Sequence, residues 1–229
     1  MLTESKFSKY LLYAIGEIIL VVIGIFLALQ LNNWNQDRIA SEKEHLLLKE
    51  LHDEFINNKK QLEEVVRTHQ ICASACDSII TLFPIDLEQV NLDSLQNWMS
   101  NTGYHYTFNP SQGVINSLVN TSSFELISND SLRRTIISWS DVLADYQEEE
   151  IKALTYYKGD YGRYQQENFD WVPNLRDERN NLAALTSLQF EYHIRQRHSD
   201  VTAILTDGEL VVIQRMIDRI IKLSEPGQL

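Results

Sequence analysis

Residues 48–83 read LKELHDEFINNKKQLEEVVRTHQICASACDSIITLF, and their spacing decides the fold. Leu48, Leu51, Phe55, Asn58, Leu62, Val65, His69, Cys72, Cys76, Ile79 and Phe83 recur at intervals of three and four for about five heptads. That spacing lines one face of an α-helix, as in a coiled-coil or long-bundle seam. No Gly or Pro interrupts it before Pro84. The predicted helix therefore runs from about Asp37 to Phe83. Asn58 and His69 break the apolar face, and polar seam residues fix register. Beyond Pro84, Asn91-Leu-Asp-Ser-Leu reads as a capped helix start. Asn109-Pro110-Ser111 opens another, with Pro110 in its first turn. Asn129-Asp130-Ser131 begins a long segment to about Phe169, with Leu132, Ile136, Trp139, Leu143 and Tyr146 at helical spacing. A break at Trp171-Val172-Pro173 precedes two helices, about 178–198 and 207–224, which separate near Asp207-Gly208. No stretch reads as a convincing strand. The expected fold is all-α, an antiparallel helical bundle.

Upstream of the seam, residues 11–31 read LLYAIGEIILVVIGIFLALQL. At about 1.5 Å per residue this run covers roughly 30 Å, the thickness of a bilayer core. It is too long for a signal-peptide core, and no A-x-A-like site follows it. It therefore predicts an uncleaved transmembrane helix, after a short cytoplasmic head of residues 1–10 and before an extramembrane domain of residues 32–229. Lys6 and Lys9 precede the run, while Arg38 and Lys43 follow it. The slight bias favours the N-terminus inside and the domain outside, in the periplasm. Tyr10, Tyr13 and Trp34 bracket the span as interfacial aromatics do, and Asn32-Asn33-Trp34-Asn35 makes a polar collar. Glu17 is the only charge in the run, and an acid in hydrocarbon is a functional hypothesis by default. Gly24 and Ala28 lie seven and eleven residues on, within about 20° of its face. Glu17, Gly24 and Ala28 so form a seam suited to a partner helix, with small-x-x-x-small spacing.

The whole chain carries 20 basic and 32 acidic residues, a net charge of −12. Lys6 and Lys9 balance Glu4 and Glu17, so the excess belongs to residues 32–229. Such a surface excludes a general nucleic-acid binder, which must neutralise phosphates. It also directs contacts toward proteins rather than anionic headgroups.

Few residues suggest chemistry. His69, Cys72 and Cys76 share one helix face, but a metal would need a further ligand from elsewhere. Their seam position favours core packing, and no metal or other cofactor is expected. Cys72 and Cys76 stand one turn apart, a spacing that permits a disulfide in an oxidising compartment. His45 and His52 read as surface residues, and Glu148-Glu149-Glu150 as a solvated face. Asn120-Thr-Ser and Asn129-Asp-Ser match the glycosylation pattern but serve better as turn and cap residues. The Tyr-rich stretch Tyr156-Tyr157-Lys-Gly-Asp-Tyr161-Gly-Arg-Tyr164 fits two roles, inward packing or the lining of a groove. No H-E-x-x-H, G-x-S-x-G or phosphate-cradling glycine loop is present, so no enzyme is expected.

The run from Ala14 to Asn35, with Gly16-Glu17 inside the span and Gln30-Leu-Asn-Asn-Trp34 closing it, resembles the start of an uncharacterised family of single-span Bacteroidetes membrane proteins. Tyr106-Thr-Phe-Asn-Pro and Phe124-Glu-Leu-Ile-Ser-Asn-Asp-Ser-Leu-Arg133 look like later parts of that family, while Thr121-Ser122 departs from its pattern. The resemblance implies a bacterial inner-membrane protein and supplies no activity. The expected role is an anchored structural, scaffolding or accessory protein. Its expected partners are the membrane and either further copies of the chain or another membrane protein. A periplasmic sensory domain, or a proton-coupled motor or transporter subunit using Glu17, are the alternatives.

Overall fold

The computed structural model describes residues 4–121, 123–171 and 174–225. Residues 1–3 of the head, Ser122, the expected break at Val172–Pro173 and residues 226–229 lie outside the described residues. So do the side chains of residues 4–10, Tyr10 among them, and those of Leu12 and Ser123. Every regular element among the described residues is helical, so the chain is all-α.

The first helix, α1 (Glu4–Ile80), is 77 residues long, about 115 Å. The apolar run, the collar and the seam are one helix, because no Gly or Pro stands between residues 25 and 83. The collar therefore does not interrupt it. The helix ends three residues before Phe83, and the Phe83–Pro84 peptide is cis. Every seam residue from Leu48 to Ile79 is buried and Phe83 is half buried. By contrast, every described side chain from Leu11 to Lys43 is exposed.

Three further legs complete the bundle: the second and fourth pack directly along α1, while the third packs on the fourth and reaches the seam through the Trp139 and Glu150 side chains. The second descends α1, through α2 (Leu92–Thr102), an irregular stretch and α3 (Gly113–Thr121), to a 3-10 turn at Ser123–Leu126. Its register is pinned by polar side chains of α1. Cys72 Sγ donates to Thr102 O at 3.3 Å. Asn58 bonds Ser111 twice, donating to its carbonyl at 2.8 Å and accepting from its amide at 2.9 Å. Glu54 Oε2 accepts from Ser111 Oγ and Val114 N, and Glu44 accepts from Ser128 N at 2.6 Å. Asn91 caps α2 as expected, but α3 begins at Gly113, not at Asn109-Pro110.

The third leg rises again through α4 (Asp130–Ile137), α5 (Trp139–Tyr156), one π-helical turn (Tyr157–Tyr161) and α6 (Gly162–Asn168). The single helix expected here is thus divided, at Ser138 and at the π turn. Asn129 accepts from the amides of Ser131 and Leu132, the capping role expected of it. The fourth leg descends through a 3-10 turn (Leu182–Thr186), α7 (Leu188–Thr206) and α8 (Gly208–Leu223). It starts ten residues later than expected, because Ser187 caps α7 by accepting from Phe190 N. Asp207 is extended, with φ −68° and ψ 152°, and marks the expected division. Both helices run antiparallel to α1, shown by His198–Asp77 at the far end and Lys59–Asp218 and His52–Ile221 O lower down. The result is an antiparallel bundle of four legs.

The core has two apolar parts. The lower gathers Leu51, Phe55 and Leu62 with Trp139, Leu143 and Ile217. The upper gathers Cys72, Cys76 and Ile79 with Leu95, Tyr161 and Phe190. Between them sit buried polar side chains, among them His69, Thr102, Glu150 and Arg197.

The π turn depends on a glycine. A Cβ on Gly162 would stand 2.9 Å from Tyr157 O, whereas one on Gly159 would meet nothing within 4 Å. Gly162→Ala is expected to destabilise the domain by about 1–3 kcal/mol. Gly159→Ala is expected to be neutral or to stabilise it by about 0.5–1 kcal/mol. Thermal and denaturant melts of the two variants check this pair.

Candidate functional site

Three places carry the residues that matter. The first is the exposed apolar part of α1, which is long and apolar enough to cross a membrane. Helical geometry puts Glu17, Gly24 and Ala28 on one side of α1, and all three are exposed. A Cβ at Gly24 would meet nothing within 4 Å. No contact inside this chain therefore requires a glycine there. Asn32, Asn33 and Trp34 are also exposed, Trp34 at 68%.

The second place is the polar layer. Glu150 is only 2% exposed. Its Oε2 accepts from Phe108 N at 2.7 Å and its Oε1 stands 3.4 Å from His69 Nε2. Gln147 donates to Phe108 O at 2.7 Å, so the third leg holds both backbone polar groups of one residue of the second. The run Glu148-Glu149-Glu150 is therefore not a solvated face throughout. Glu150 falls in register with Leu143, Tyr146 and Ala153, all buried. Glu44, too, is buried, and His52 is half buried. His45 is exposed as expected.

Arg197 is 1% exposed and has no carboxylate at ion-pair distance among the described residues. Its guanidinium donates instead to three backbone carbonyls, of Thr102, Ala153 and Tyr104. It also lies 5.1 Å from the Tyr157 ring centroid, a cation–π contact. Sequence reading missed both Glu150 and Arg197. The signal was their register: Phe190, Ile194, Arg197, Val201 and Ile204 follow the same three-and-four spacing that marked the seam.

Cys72 and Cys76 are free and buried in the upper core. The structure therefore shows no disulfide between them. The neighbouring Cys72 sulfur and burial together push the Cys76 thiol up. Such a thiol is poorly reactive at neutral pH. No group of three or more His, Cys, Asp or Glu side chains is placed to hold a metal ion among the described residues.

The third place is a groove of about 770 Å³ beside the π turn. Its walls include Gly103, His105, Tyr157, Gln165, Phe169 and Trp171. Tyr157 is held between Arg197 on one side and the His105 ring, stacked at 4.8 Å. Gly103 leaves room for the Tyr157 hydroxyl, which would lie 3.0 Å from a Cβ there. The Tyr-rich stretch so serves both expected roles. Tyr161 and Tyr164 pack inward, and Tyr157 lines the groove.

Behind the groove, His193 lies among the rings of Tyr156, Tyr161, Tyr164 and Tyr192, with centroids 4.8–6.0 Å away. Its Nδ1 shares a 2.7 Å hydrogen bond with Tyr156 Oη, while Nε2 is buried without a partner. Burial holds its titration below the ordinary imidazole value, opposed in part by Asp160. The unfolded chain then binds a proton near pH 6.5 that the folded chain still refuses. This contribution to stability is complete above about pH 6.5 and is lost as pH falls toward the folded value. His193→Gln should remove that part of the acid-side decline. Denaturant melts between roughly pH 7.5 and 5.5 should show the wild type losing more stability than the variant.

No curated protein and no solved structure matches the chain significantly. One family does, over residues 17–157, from the acid of the span through the third leg to the first residue of the π turn. That match covers more than half of the 229 residues, and the chain belongs to the Family of unknown function (DUF6090).

Proposed function

We propose that this chain is a single-span membrane protein whose helical domain acts as a scaffold or accessory subunit through protein–protein contact. The observation that carries this reading is the exposed apolar half of α1. Its described side chains from Leu11 to Leu31 are all exposed, so that lipid or another helix would cover them. Gly24 adds a reason for a helix on that face, since its missing side chain has no use within the monomer. Glu17 on the same face would hydrogen-bond the partner helix. The charge bias across the span favours a cytoplasmic N-terminus with the domain on the far side, and the family resemblance implies a bacterial inner membrane, so that the domain would be periplasmic. Residues 32–43, all exposed, would then form a bare helical stalk of about 18 Å below the bundle.

A second reading is a ligand-sensing domain that signals through the span, and the groove beside the π turn is the observation that favours it.

Disulfide crosslinking in native membranes tests the first reading, with single cysteines introduced at Gly24, Ala28 and, on the opposite face, Phe26. Dimers are expected from Gly24→Cys and Ala28→Cys and not from Phe26→Cys. A chain that is monomeric in mild detergent and crosslinks at none of these positions would contradict it.

A further inference from the structure

A cleft of about 390 Å³ opens between α4 and α8, away from the groove and the polar layer. Arg134 on α4 and Arg215 and Arg219 on α8 line it, together with the hydroxyls of Ser131, Thr135 and Ser138. The three guanidiniums are exposed. Their lack of carboxylates is unusual in a chain whose acids outnumber its bases by 12. Arg38, Arg67, Arg133, Arg176, Arg179 and Arg195 each hold a carboxylate. Arg134 and Arg215 hold none among the described residues, and Arg219 reaches only Ser131 Oγ, at 2.6 Å. Three like charges converging on one cleft repel each other, and no acid among the described residues lines it to offset that.

The donor set is specific. Ser131 Oγ accepts from Arg219, which leaves its own proton to donate outward. Thr135 and Ser138 spend their protons on the carbonyls of Ser131 and Arg134. The cleft therefore presents three planar forks and one hydroxyl proton, and no carboxylate. Guanidinium forks match the oxygens of a phosphate group bidentately.

We infer that the α4–α8 cleft binds a phosphate-type oxyanion: a phosphomonoester, phosphodiester or pyrophosphate group. Two sources carry that chemistry. One is a soluble phosphorylated compound. The other is an anionic lipid headgroup, because α4 lies at the end of the bundle nearest the span. It sits between the Glu44–Ser128 and Phe55–Trp139 contacts, and Glu44 is about 20 Å of helix beyond Leu31. The lipid source rests on the anchored reading of the chain, and the soluble source does not.

Calorimetric titration of the full chain in a zwitterionic detergent with inorganic pyrophosphate tests the site itself. Saturable binding that weakens with added salt is expected. Arg134→Gln and Arg215→Gln should each weaken it about tenfold, since a charge-assisted hydrogen bond is of that strength. Arg163→Gln, at an arginine without an ion pair on α6, should leave it unchanged. Both cleft side chains are exposed and unbonded, so unchanged thermal melts are expected in the variants. In nanodiscs, slower amide exchange in α4 and α8 with phosphatidylglycerol than with phosphatidylcholine identifies the lipid source. Pyrophosphate binding without that difference identifies the soluble one. Absence of both effects, or binding that survives both cleft substitutions, would overturn the proposal.

Discussion

One face of an unbroken helix holds the domain together. The seam from Leu48 to Ile79 is buried along its whole length; the second and fourth legs pack directly against it, and the third packs on the fourth and reaches the seam through Trp139 and Glu150. The face stays in line because nothing between residues 25 and 83 bends or stops the helix. Apolar burial drives the packing, but register comes from polar groups on α1. Glu44, Glu54, Asn58 and Cys72 each take a backbone partner from the second leg. That leg has little regular structure of its own between α2 and α3, so its backbone bonds are completed by α1 instead.

The polar layer gives the bundle a second constraint. Burying Arg197 without a carboxylate is costly, and three carbonyls plus a tyrosine face offset the desolvation. Two of those carbonyls, on Thr102 and Tyr104, belong to the end of α2 and the turn after it, and the third, on Ala153, to α5. Arg197 therefore ties the second, third and fourth legs together at one level. Glu150 does the same for the first three through His69 and Phe108. The π turn follows α5 directly, and the groove opens beside it. The polar layer reaches the wall of that groove through the Tyr157 ring, which contacts both Arg197 and His105.

Much of this was legible in the residues. The seam, with Asn58 and His69 inside it, follows from its spacing alone, and so does the all-α class. Caps at Asn91 and Asn129 were readable because an Asx side chain satisfies amides that a helix start leaves open. What escaped were the buried charges. A run of three glutamates looks solvated until a packed neighbour fixes which of them turns inward, and the inward one is Glu150. Arg197 escaped for a similar reason: its partners are backbone carbonyls, which leave no trace in side-chain patterns. The division of the third leg was hidden as well, since Ser138 and the π turn interrupt hydrogen bonding without a proline. Convergence of Arg134, Arg215 and Arg219 depends on two legs far apart in sequence meeting side by side.

The continuity of α1 links the exposed apolar segment to the bundle, so any partner held at Gly24 is rigidly related to the seam. A polar collar that melted into a flexible linker would abolish that relation. Spin labels at Gln30 and Lys60, both exposed, measure it directly by electron–electron double resonance. An unbroken helix predicts one narrow distribution of backbone separation near 45 Å, from 30 residues at about 1.5 Å each. A broad distribution, or one centred well below that distance, would contradict it.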